Sequence, residues 1–134
     1  MTFTDNFNSC MSSSGLPTPS QVFDSVTDAL EFLDQLHTAW EAAGADEEMT
    51  LAALAALGAA TGIDEGVLAI LAAAAEATVE AYLTACFGCL VSASVSSGMS
   101  WQNLFASTND SWSQGQLTVA ANDQGIDTSA TATA

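Results

Sequence analysis

The 134-residue chain contains no lysine and no arginine. Charged residues usually make up about a quarter of a soluble chain, so roughly 16 bases would be expected at this length and chance does not explain their absence. Sixteen Asp and Glu side chains are opposed by one histidine, His37, and the formal charge is −16. Counterion release at phosphates needs Lys and Arg, which excludes nucleic acid as a partner and removes the usual attraction to anionic membrane surfaces. Chemistry built on an arginine clamp, a Schiff-base lysine or a P-loop lysine is excluded for the same reason.

Other features are missing as well. Met1 to Gly15 carries neither a charged n-region nor an apolar h-region, so no secretory signal peptide is read there. There is no E-x-x-H pair, no G-x-S-x-G elbow and no D-x-D-x-D-G calcium loop, which leaves no metal, cofactor or hydrolytic motif and points away from an enzyme. Three cysteines are an odd number and cannot form a closed disulfide framework. Cys86-Phe87-Gly88-Cys89 has the spelling of a redox motif but lies late in an apolar helix, where no base can stabilise a thiolate. The two cysteines read as small buried hydrophobes, with Cys10 or another chain as the alternative disulfide partner.

What is present is helical patterning on one domain of ordinary size. Alanine accounts for 26 residues, against 29 larger aliphatics and phenylalanines, so the core is thin and relies on close helix approach. The expected fold is all-α: a compact bundle of three to four helices with an Ala-rich central helix, occupying residues 20–121 between a polar tail (1–19) and a disordered tail (122–134). Pro17 and Pro19 bar an earlier start. Val22, Val26, Ala29, Leu33, Leu36 and Trp40 recur at helical spacing and predict a first helix over 20–43, stopped by Gly44. Asp46, Glu47 and Glu48 read as the N-terminal cap of a helix over 47–60, and Asp64 and Glu65 as that of a third helix running to the Ser92–Ser97 stretch. A fourth helix spans 100–121, against the turn signal of Asn109-Asp110-Ser111.

The third helix is the most apolar, and between Val67 and Val91 its only charges are Glu76 and Glu80, one turn apart. Such a helix is the central rod of a bundle or a membrane span. Two ionised glutamates oppose constitutive spanning, but their protonation would permit conditional insertion. His37 lies beside Asp34 and Glu41 and reads as a solvated flank residue that can share a proton with either, which makes it, with Glu76 and Glu80, a pH-sensitive candidate. Asp24, Asp28, Glu31 and Asp34 succeed one another along one helix, so neighbouring pairs repel by about 0.2–0.5 kcal/mol each. Crowded carboxylates make a folded chain hold protons more readily than an unfolded one, so mild acid, salt, Ca²⁺ or Mg²⁺ is expected to strengthen the bundle.

Trp40, Trp101 and Trp112 are the large side chains best suited to anchor an interface. The expectation is a non-enzymatic, exported or extracellular domain that self-associates or docks a protein partner. The alternative is a membrane-acting effector, resembling a bacteriocin in its action, whose helix 64–91 inserts on protonation.

Overall fold

The computed structural model describes residues 3–16, 18, 23–57, 65–74, 76–126 and 128. Among them run α1 (Phe3–Ser13), α2 (Val26–Ala42), α3 (Leu51–Leu57), α4 (Glu65–Ala72), α5 (Val79–Ser96), α6 (Trp101–Ala106) and α7 (Ser111–Asp123). The all-α class holds, with no strand among the described residues. Among the described residues seven helices replace the expected three to four, because two long sequence patterns are cut by local hydrogen bonding that outcompetes helix propensity and the N-terminal tail adds a helix of its own.

α5 is the hub: α1, α2, α3, α6 and α7 all pack against it. It is not the alanine-rich rod expected from composition. Its buried face is made of Val79, Tyr82, Leu83, Cys86, Phe87, Leu90 and Val91, and the alanines concentrate in α3 and α4, which pack chiefly against each other. Large side chains therefore fill the centre and small ones let a peripheral helix pair approach closely.

The N-terminal tail is the main departure from expectation, since residues 3–13 are helical. Phe3, Phe7 and Met11 recur every fourth residue, and Phe7 and Met11 are fully buried. Burying each contributes about 1.5–3 kcal/mol, enough to order a helix whose remaining residues are Ser, Thr, Asn and Asp. Phe7 stacks on Phe23 at 4.4 Å between ring centroids, and Phe23 meets Phe32 edge-on at 5.5 Å. A disulfide between Cys10 and Cys89 ties α1 to α5, with Cα atoms 5.6 Å apart. Gly15 closes the helix at φ 70°, where its conformation lets the Leu16 amide reach back to the Met11 carbonyl at 3.2 Å. The same reach-back bond ends α2 beyond Gly44, α5 beyond Gly98 and α7 beyond Gly125.

α2 starts at Val26 and not at residue 20, because Ser25 is extended and its Oγ accepts from the Asp28 amide at 3.1 Å. Residues 20–22 lie outside the described residues. Asp46, Glu47 and Glu48 do not cap α3. Asp46 Oδ1 accepts from the Glu48 amide in a local turn, and the cap is Thr50, whose Oγ1 accepts from the Ala53 amide. The expected continuation of this helix over 58–60 also lies outside the described residues.

The long third helix is interrupted. After Ala72 the chain turns, and Thr78 forms an antiparallel bridge with Thr50 through Leu51 N–H to Ala77 O at 2.8 Å and Val79 N–H to Met49 O at 2.9 Å. Thr78 Oγ1 then caps α5 by accepting from the Ala81 amide. Bridge and cap satisfy amides that a continuous helix would have used, and alanine propensity yields to them. The fourth helix is likewise two. Asp110 Oδ2 accepts from both the amide and the hydroxyl of Ser113 at 2.9 Å, starting α7 afresh after α6 ends at Ala106. α7 reaches Asp123, so Asn122 and Asp123 are helical, while residues 127 and 129–134 lie outside the described residues.

Candidate functional site

Three helices converge on a recess of about 240 Å³ lined by Trp40 from α2, Glu80, Leu83 and Thr84 from α5, and Trp112 and Gln116 from α7. Each helix places its residues by simple periodicity. Trp40 ends the apolar stripe of α2, Glu80 and Thr84 are one turn apart at the start of α5, and Trp112 and Gln116 are one turn apart behind the Asp110 cap.

The aromatic side chains are held firmly. Trp40 Nε1 donates to the Asp46 carbonyl at 2.9 Å, so the acidic stretch after α2 serves to orient an indole. His37 stacks on Trp112, with ring centroids 3.7 Å apart and planes 7° from parallel, and its Nδ1 lies 3.2 Å from Glu41 Oε1. Phe87 meets Trp112 edge-on at 5.3 Å. Trp112 is thus fixed by a stacked ring and a perpendicular one, while both tryptophans remain half-buried and line the opening.

Sequence reasoning placed these residues unevenly. His37 is no solvated flank residue: its side chain is 15% exposed, pinned under Trp112 and paired with Glu41, whereas Asp34 is exposed. Glu76 and Glu80 do not share a helical stripe. Glu76 is exposed in the turn before α5, and Glu80 is exposed on the first turn of α5 at the rim of the recess. Trp101 is apart from the other two tryptophans, buried in α6 against Phe105, and its Nε1 finds no hydrogen-bond partner among the described residues. Thr84 and Gln116 were missed, because a polar residue one turn from a tryptophan or a glutamate carries no signal until the helices are docked.

Of the cysteines, Cys10 and Cys89 are bridged and Cys86 is a buried free thiol. Burial pushes the Cys86 thiol up, partly offset by a hydrogen bond from the Tyr82 hydroxyl. Burial also pushes Tyr82 up, reinforced by the neighbouring thiol. Both groups stay neutral in the folded core, so Cys86 has none of the thiolate character of a nucleophile. No cluster of three or more metal-ligating side chains occurs among the described residues.

Thr84 and Gln116 also border a second recess of about 190 Å³ between α5 and α7, which reaches Val119 and Asp123. The two recesses adjoin at Thr84 and Gln116, and each has a carboxylate in its lining, Glu80 in one and Asp123 in the other. Val119, 58% exposed, lines the second and is one of two large exposed hydrophobics among the described residues. Comparison with known proteins finds no matching protein family, no matching curated protein and no matching solved structure.

Proposed function

We propose that this chain is a non-enzymatic, exported docking domain that acts by self-association or by holding a protein partner, and that acid or cations strengthen it. The observation that carries the reading is the open recess between Trp40 and Trp112. Two oriented, half-buried tryptophans beside an exposed valine have the composition of an interface centre. Trp101 is a core residue and gives no such surface. Export is supported by the Cys10–Cys89 bridge, since such bonds persist in oxidising compartments.

Sedimentation over a range of protein concentrations tests the self-association arm: a concentration-dependent mass that Val119→Asp abolishes is expected. A monomer at every concentration leaves only the partner arm. The dependence on cations rests on exposed Asp28, Glu31 and Asp34, which follow one another at helical spacing along α2 and whose mutual repulsion salt screens, whereas Asp24 precedes the helix and leaves the expected series. The melting temperature is expected to rise between 20 mM and 500 mM NaCl, and a fall would refute it.

A second reading, membrane action, is favoured by one observation. α5 is long and apolar enough to cross a membrane, with a mean hydropathy of 1.4 over 18 residues. More than half of it is buried against its neighbours, and the turn before Thr78 interrupts the proposed 64–91 rod, so insertion would require α5 to leave the bundle. Liposome leakage at pH 5 and not at pH 7 would support this reading, and leakage at neither would remove it.

A further inference from the structure

The docking reading leaves open what the recess accepts, and its walls narrow the choice. Trp40 and Trp112 present aromatic surface, Glu80 supplies a carboxylate at the rim, and Thr84 and Gln116 add polar groups to the lining. Aromatic faces attract cations through their quadrupole, and a nearby carboxylate adds direct attraction. Trp40 and Trp112 are already fixed, by the Asp46 carbonyl in one case and by His37 and Phe87 in the other, so a ligand would meet surfaces that need no reordering.

A second copy of this chain offers no suitable cationic side chain. It contains no lysine or arginine, and its one histidine is itself stacked beneath Trp112. The adjoining recess, which shares Thr84 and Gln116, is lined by exposed Val119 and a second carboxylate, Asp123. Acidic, aromatic and apolar groups gathered in neighbouring recesses suit a polypeptide with a basic side chain close to an apolar one. A planar guanidinium stacks on indole and bonds to carboxylate at the same time, which favours arginine over lysine.

Resting on the docking reading, we propose that the recess between Trp40 and Trp112 binds an arginine side chain of a partner polypeptide, with Glu80 as its counter-charge.

The test uses the intact oxidised protein at pH 8 in low salt, titrated by tryptophan fluorescence with two capped peptides. One carries a single arginine among glycines and serines, and the other has citrulline in its place. A cation–aromatic contact of ordinary strength predicts a midpoint for the arginine peptide roughly five- to thirtyfold below that of the citrulline peptide. Glu80→Gln should erase most of that preference. Glu80 is exposed, so the variant keeps the fold. Asp24→Asn removes the same charge from an exposed position outside the recess lining and should leave the preference intact.

Equal midpoints for the two peptides would overturn the proposal. So would equal weakening by Glu80→Gln and Asp24→Asn, which would mean attraction to the overall charge alone. Sedimentation of the same samples without peptide reports self-association independently, so loss of the cation site and loss of docking are separately visible.

Discussion

At the scale of single residues, the structure gives uses to groups whose sequence neighbourhood suggests others. Cys86 belongs to a C-x-x-C spelling, yet it serves as a buried neutral thiol bonded to Tyr82, and its companion Cys89 is bridged elsewhere. In the folded core both Cys86 and Tyr82 hold their protons well above their ordinary values of 9.0 and 10.0, because burial disfavours the charged forms. In the unfolded chain they ionise near those values. Their contribution to stability is therefore complete below about pH 8 and declines as the unfolded chain ionises above it, by up to about 1.4 kcal/mol per pH unit for each group released. Urea midpoints should fall steeply between pH 8 and pH 10.5, and Cys86→Ala should flatten that fall while lowering the midpoint at pH 8. An unchanged slope in the variant would refute this account.

At the scale of elements, legibility depended on whether a helix advertised itself by periodicity or was delimited by contacts. The stripe Val26, Ala29, Leu33, Leu36 and Trp40 located α2, and Gly44 located its end, since both signals are local. Phe3, Phe7 and Met11 have the same spacing in α1, but the serines and asparagines between them masked it. The break between α4 and α5 left no trace in an alanine-rich run, because it depends on Thr78 meeting Thr50, a pairing no local pattern encodes. The proximity of Trp40, Glu80 and Trp112 was invisible for the same reason: helix faces read one at a time do not say which of them abut. The two caps that replaced expected continuous helices can be tested directly. Thr78→Ala should cost about 1 kcal/mol and Asp110→Ala about 1–2 kcal/mol, as Asp110 serves both the amide and the hydroxyl of Ser113. Of the two, only Asp110→Ala should perturb the near-ultraviolet signal of Trp112, which lies two residues beyond it. Equal stability in both variants by urea unfolding would show that tertiary packing alone sets these helix starts.

At the scale of the whole molecule, a chain with no opposing positive charge is held by a central helix of large side chains and by one covalent link. The bridge joins residues 79 apart in sequence, and closing a loop of that size restricts the unfolded chain by about 4 kcal/mol on an entropic account. Reduction should therefore lower the urea midpoint substantially and expose α1 to proteolysis first, since the covalent link is lost and chiefly its packing through Phe7 and Met11 then holds it on α5. Mass spectrometry of limited digests with an acid-specific protease would show this, as a chain without lysine or arginine gives trypsin no site. Early cleavage in α3 or α4 with α1 still protected would contradict it. The pairing of Thr50 with Thr78 has an architectural consequence. Two main-chain bonds fasten the start of α3 beside the start of α5, so the α3 and α4 pair, whose Leu51, Leu54, Val67 and Leu71 are buried with the core, is held to the body by a closed base. A base closed in that way fixes where α5 begins, so a change of length in the connection between α3 and α4 should leave the helices that shape the tryptophan recess in place.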